Sequence, residues 1–158
     1  MNETSAICGL FCESCGIFIA TKEQNESELE RIAAMMKTTK EEIKCAGCRS
    51  TVLSHHCRDC EFKKCSKDNN VDNCEDCEKH PCEKLRHFQK QLPHRAELFE
   101  SAKYRKDNGL DSWIVKMTKD YSCESCGYIN SPYYGTCKKC GHAPANNFVK
   151  RNSSLFKK

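Results

Sequence analysis

Cys57-Arg58-Asp59-Cys60-Glu61-Phe62-Lys63-Lys64-Cys65-Ser66-Lys67 recurs seventeen residues on as Cys74-Glu75-Asp76-Cys77-Glu78-Lys79-His80-Pro81-Cys82-Glu83-Lys84. Six of the eleven positions match, all three cysteines among them. A repeated C-x2-C-x4-C predicts two similar turns, each offering three sulfurs. Cys48, Cys65 and Cys82 also fall seventeen apart, which extends the period towards the N-terminus.

The whole chain shares this bias. It has 15 cysteines in 158 residues, about 9%. Without them the apolar share falls from 38% to roughly 28%, thin for a self-sufficient core. Sulfur bonding must therefore help to hold the fold. The start, Met1-Asn2-Glu3-Thr4-Ser5, lacks the basic and apolar segments of a secretory leader, and no apolar run is long enough for a bilayer. Both point to the cytoplasm, where disulfides seldom persist, and the odd cysteine count also favours metal ligation over pairing.

The sharpest local motif is Cys123-Glu124-Ser125-Cys126-Gly127, followed ten residues later by Cys137-Lys138-Lys139-Cys140-Gly141. In each C-x-x-C-G the two-residue spacer aims both thiolates at one ion, and the glycine permits the tight turn. Two such knuckles with a hairpin over Tyr128–Thr136 resemble the zinc-ribbon family, with four sulfurs around a structural Zn²⁺. A rubredoxin-like iron centre uses the same ligands. Lys138, Lys139, Lys150 and Arg151 lie beside Tyr128, Tyr133, Tyr134 and Phe148, a mixture that can hold single-stranded nucleic acid or simply cover a small core and dock a protein. The last 43 residues carry eight Lys and Arg against two Asp and Glu.

Upstream, Cys8, Cys12 and Cys15 form one block, and Cys45, Cys48, Cys57, Cys60, Cys65, Cys74, Cys77 and Cys82 another. Eleven cysteines serve two four-coordinate ions with three spare, or three ions with one further ligand, for which His55, His56 and His80 are the nearest candidates. Cys8-Gly9-Leu10-Phe11-Cys12-Glu13-Ser14-Cys15 has the C-x3-C-x2-C spacing of radical S-adenosylmethionine enzymes, but the chain lacks the alternating strands and helices of their barrel. Bacterial ferredoxins use C-x2-C-x2-C-x3-C-P, and here Pro81 precedes Cys82 instead. An iron–sulfur redox protein remains the alternative to zinc for this half. Between the cysteine blocks, Ser27 and Glu30 read as a capping box ahead of Leu29, Ile32, Ala33 and Met36. Pro81 suits the first position of a helix bearing Leu85, Phe88 and Leu92, and another helix is expected over 95–106, ending near Gly109. Trp113, Ile114 and Val115 read as a short buried segment.

With these residues in view, the chain resembles a prokaryotic cysteine-rich family known only as a domain of unknown function, the one numbered thirty-seven ninety-five. The resemblance runs over about residues 5–100, through Cys8–Cys15, Ile19–Glu23, Cys45–Cys48, His56–Cys60, Cys65, Asn73–Cys77 and Pro81–Leu85. It implies a cytoplasmic metal-binding protein and brings no activity, substrate or catalytic residue. Some members carry a C-terminal zinc ribbon.

The expectation is a small α+β protein: a metal-stapled, cysteine-rich helical and loop domain over 1–117, then a β zinc ribbon with a basic tail over 118–158. All fifteen cysteines are candidate ligands. No catalytic residue is nominated, since the chain has no nucleophile elbow, metalloprotease helix, phosphate loop or dinucleotide fingerprint. The expected role is a zinc-stabilised module that engages a protein or nucleic acid through its basic end, away from membranes.

Overall fold

Asn25 starts the first long helix: its side chain accepts the Glu28 amide N–H at 3.1 Å, while Ser27 Oγ donates to the same oxygen at 2.9 Å. The expected box at Ser27 and Glu30 is thus displaced by two residues, because Asn caps a helix as well as Ser does and stands where the free N–H groups begin. The computed structural model describes residues 4–157. Met1–Glu3, which bear on the reading of the start, and Lys158 of the basic end lie outside the described residues.

The elements are α1 (Gly16–Lys22), α2 (Glu26–Met35), α3 (Lys40–Ile43), α4 (His55–Arg58), α5 (Glu61–Asp68), α6 (Glu83–Gln91), α7 (Leu98–Tyr121) and α8 (Asn147–Asn152), with 3-10 turns at Cys12–Ser14, Cys74–Asp76, Pro93–Arg95 and Ser153–Phe156. The described residues contain no strand and no sheet, only isolated bridges at Ser5–Phe11 and Ser122–Ile129. The expected α+β class and its β ribbon are therefore overturned.

The physical reason lies between the knuckles. Buried Asn130 takes over the hydrogen bonds that a strand ladder would make: its Oδ1 accepts the Lys138 amide at 2.9 Å, and its Nδ2 donates to the Tyr128 carbonyl at 2.9 Å and the Ala145 carbonyl at 3.3 Å. Asn146 Nδ2 in turn donates to the Asn130 carbonyl at 3.0 Å. Backbone groups satisfied by side-chain amides need no neighbouring strand.

Two other expectations shift. Cys82, not Pro81, borders α6 as its N-cap, and Leu92 lies past the helix end, 42% exposed. The segment at Trp113, Ile114 and Val115 is helical: Trp113 is fully buried, but Val115 is 70% exposed. Gly109, at φ 82°, does end the helix before it. A second helical arm follows at once and folds back on the first. Trp113 Nε1 donates to Ser101 Oγ at 2.8 Å. Twelve residues of straight helix would hold those residues about 18 Å apart. The two arms of α7 thus form a helical hairpin, and the second runs unbroken past residue 117 to Tyr121.

Three apolar clusters hold these pieces. One gathers Ala6, Ile7, Cys8, Phe62, Leu85 and Leu98, with Cys12, Cys48, Cys60, Cys74 and Cys82 packed on its edge. A second joins α1, α2 and Ile43, with Cys45 at its rim. The third stacks Phe11 on Tyr121 (centroids 6.0 Å apart) and Tyr121 on Phe148 (5.2 Å), with Trp113 edge-on to Phe11 at 5.6 Å. Cysteines border the first two clusters, and the third supports the stretch that carries the knuckles.

Candidate metal centre

Each knuckle is built by the same backbone pattern. The Gly127 N–H donates to the Cys123 carbonyl at 2.9 Å and the Cys123 N–H to the Tyr128 carbonyl at 2.9 Å. Likewise Gly141 donates to the Cys137 carbonyl at 2.9 Å and Cys137 to the His142 carbonyl at 2.8 Å. Gly127 and Gly141 both stand at positive φ, 72° and 75°, a region that a side chain makes costly. The result brings the sulfurs of Cys123, Cys126, Cys137 and Cys140 within 4.8 Å of one another. Cys123 Sγ lies 3.6 Å from Cys140 Sγ, and Cys126 Sγ lies 3.6 Å from Cys137 Sγ. Four sulfurs bonded at 2.3 Å to one tetrahedral ion would have edges of about 3.8 Å. The residues therefore fit a single metal ion. Cys123 and Cys137 are buried, Cys126 is partly so, and Cys140 is exposed.

The electrostatics of the four thiols are unequal. Burial acts to raise Cys137, but N–H donors from Cys140, the Asn130 side chain and Lys139 outweigh it and hold Cys137 down at about 6. The Asn130 donor lies 3.3 Å from the sulfur. The Tyr128 amide lowers Cys126, yet desolvation and three neighbouring thiols push it up to about 12. Cys137 is thus ready to ionise while Cys126 is not, which is how a crowded group of acids separates its protons.

The eleven remaining cysteines fall into three neighbourhoods that adjoin one another, with Cys8 of the first lying beside Cys74 of the last. Burial pushes Cys8 up to about 12, and the nearby Cys48 and Cys60 thiols act the same way. Cys12 belongs to the same group: burial raises it, while the Cys48 amide N–H donates to it. Cys15 is raised by desolvation, with Cys45 and Cys57 as its thiol neighbours. Cys65, Cys74, Cys77 and Cys82 line one small cavity together with His80. Among the described residues, no set in this half brings three ligand atoms within 4.8 Å of one another as the C-terminal set does. Of the three candidate histidines, His55 Nδ1 and His80 Nε2 are buried without a hydrogen-bond partner, and His56 faces Ser54 Oγ at 3.3 Å.

Sequence reasoning missed the residues that seat these thiols. Glu75, between Cys74 and Cys77, is buried and meets Arg105 of α7, likewise buried, through two hydrogen bonds, one of them 2.8 Å from Nη2 to Oε2. Arg105 Nη1 also donates to the Ala6 carbonyl at 3.1 Å, and its guanidinium lies 4.9 Å from the Trp113 ring. A charged residue in a C-x2-C spacer reads as solvent-facing, and nothing in the local sequence points to a partner thirty residues away. Asn130 carried a weak signal: it is a turn-forming residue midway between two knuckles.

These features define a thiol-rich helical protein with one preformed four-cysteine group that can hold a metal ion. The chain belongs to the protein family of unknown function DUF3795, whose model matches residues 4–87. The match covers the N-terminal cysteine array and ends well before Cys123. No curated protein and no solved structure matches the chain. No helix among the described residues is long and apolar enough to cross a membrane.

Proposed function

We propose that the protein is a zinc protein whose ions staple the fold, with no catalytic role for the metal at the C-terminal site. The observation that carries this reading is the pair of 3.6 Å sulfur–sulfur edges in a set of four thiols. Four protein ligands leave no open position for water or substrate, which is the character of a structural site. Fifteen free thiols suit a reducing compartment, and we assign the protein to the cytoplasm on that ground.

The basic end is then a docking surface, and its geometry favours a protein over nucleic acid. Lys138 Nζ sits 4.5 Å from the Tyr134 ring, whose hydroxyl donates to Glu28 at 2.7 Å. Arg151 is paired with Glu97 at 2.8 Å and with Asp120 at 3.2 Å. Cations and rings already engaged with one another offer little for stacking bases. Tight, steeply salt-dependent binding of single-stranded DNA would reverse this preference.

The metal reading is tested by purifying the full chain without oxygen and measuring its metal content, acid-labile sulfide and visible spectrum. Zinc in a colourless protein is expected. Removing it with a strong chelator should then unfold the chain, since a structural zinc contributes about 10–16 kcal/mol of apparent binding free energy against stabilities of about 5–15 kcal/mol. Iron with labile sulfide would overturn zinc in favour of an iron–sulfur protein, and a metal-free chain with full structure would overturn the staple.

A further inference from the structure

The repeat invites a simple assignment, with Cys57, Cys60 and Cys65 serving one ion and Cys74, Cys77 and Cys82 serving another. The fold does not arrange them so. Cys65, the last cysteine of the first copy, is carried by α5 to the cavity of the second copy, whose lining includes neither Cys57 nor Cys60. Cys60 neighbours Cys8 and Cys48, and Cys57 neighbours Cys15. What stands around the cavity is three cysteines from the second repeat and one from the first.

We propose that Cys65, Cys74, Cys77 and Cys82 form a second metal site, which takes one thiophilic divalent ion of the zinc class. This rests on the reading of the chain as a metal protein and extends it to a site assembled from both repeats. The cavity is about 40 Å³, lined by the four cysteines, His80, Phe62, Val71 and Leu85 among others. A water needs roughly 10–15 Å³ of such space, so the volume accommodates an ion and its immediate contacts. Cys74 opens the 3-10 turn at Cys74–Asp76, and the Cys77 N–H donates to the Cys74 carbonyl at 3.2 Å, the turn that lets a C-x2-C pair face one point. Cys82 is the N-cap of α6, which fixes its backbone at the cavity's edge.

Two polar groups complete the wall. Asn69 Nδ2 donates to Cys65 Sγ at 3.4 Å, the same amide-to-sulfur contact that Asn130 makes to Cys137 in the C-terminal set. His80 Nε2 is buried with no hydrogen-bond partner, which is costly for an imidazole unless something in the cavity answers it. A metal-bound thiolate would: it accepts an N–H bond, so His80 acts as a positioning residue that orients a sulfur. Ion binding draws the four sulfurs to metal-bonding distance and releases the protons of the thiols that ionise.

The test uses the full chain and Zn²⁺ alone. Metal-free protein is titrated with Zn²⁺ under reducing conditions, and each cysteine's alkylation rate is followed by mass spectrometry. Cys65, Cys74, Cys77 and Cys82 should become protected together over a single equivalent of ion beyond that taken by the C-terminal set, each slowed by about tenfold or more, since a bound thiolate is a poor nucleophile. Separately, native mass spectra should show that Cys65→Ser and Cys137→Ser each lose one ion, and not the same one. Protection of Cys65 in step with Cys57 and Cys60 would overturn the site, as would continued rapid alkylation of Cys65 when the other three are covered. If Cys137→Ser loses an ion but Cys65→Ser does not, the second site fails and the C-terminal one stands. If the wild-type chain binds no ion, the metal reading itself fails. The alkylation series needs no variant, so poor folding of Cys65→Ser leaves the proposal decidable.

Discussion

The two four-cysteine groups reach their sites by different routes. In the C-terminal group every ligand lies within eighteen residues, and each pair sits on its own glycine turn. A neutral amide, Asn130, ties the two turns together from inside. Its sulfurs converge without help. In the N-terminal group Cys65 arrives on a helix, Cys82 caps another, and the intervening Cys74–Asp76 turn is fastened to α7 by an ion pair thirty residues away. Those sulfurs share a cavity without converging. Short-range hydrogen bonds preorganise a site, whereas ligands held by tertiary contacts need the ion to draw them together.

The sharpest way to break this contrast is to remove its long-range fastening. Arg105→Ala leaves the Glu75 carboxylate buried without a counterion, which should cost about 3–5 kcal/mol in urea unfolding. The paired replacement Arg105→Met with Glu75→Leu removes both charges and should recover most of that loss. A double variant no more stable than Arg105→Ala would mean that the pair does not anchor the turn as described.

The preceding contrast also explains what could be read in advance. The knuckles were legible because ligand, spacer, glycine and carbonyl acceptor fall within six residues. The absence of strands was not, since it turns on Asn130 and Asn146 being buried and aimed at backbone groups up to sixteen residues away. The Gly109 stop was legible, but not the helical arm after it, because a short apolar run such as Trp113-Ile114-Val115 fits helix and strand alike. The repeat marks a short helix, α4, at Cys57 and a 3-10 turn at Cys74 rather than two alike turns. It cannot say that α5 turns Cys65 towards the second copy, since repeat spacing records local conformation and not the direction in which a helix leaves.

A finer comparison sets the two amide-to-sulfur contacts against each other. Asn130 is fully buried and bonds to two carbonyls, one amide and one sulfur. Asn69 is exposed, and its sulfur contact is longer, 3.4 Å. Asn130→Ala should weaken metal binding at the C-terminal group by about 10–100-fold in a chelator competition, the range for losing a residue that orients ligands. Asn69→Ala should change affinity by less, because water can replace an exposed donor. Equal effects would remove the distinction between a preorganised site and one closed by its ion.

The smallest effect concerns a contact that joins the regions. His94, in the turn before α7, lies with Nδ1 2.7 Å from the Tyr133 hydroxyl between the C-terminal knuckles. Burial, assisted by neighbouring Arg95, lowers His94 from 6.5 to about 4. A histidine that is neutral when folded and basic when unfolded gives the unfolded chain the extra proton as acid is added. Its stabilisation is complete above pH 6.5, falls as the pH drops, and is gone by about pH 4. Partial exposure holds the loss to about 1–2 kcal/mol. Acid also releases thiolate-bound metal, so the readout is the difference between wild type and His94→Gln across that range, with the ion content of both followed. His94→Gln should lose less stability on acidification while shedding metal in step with wild type. If the two chains respond alike, the His94–Tyr133 contact contributes nothing through its proton, and the regions are joined by packing alone.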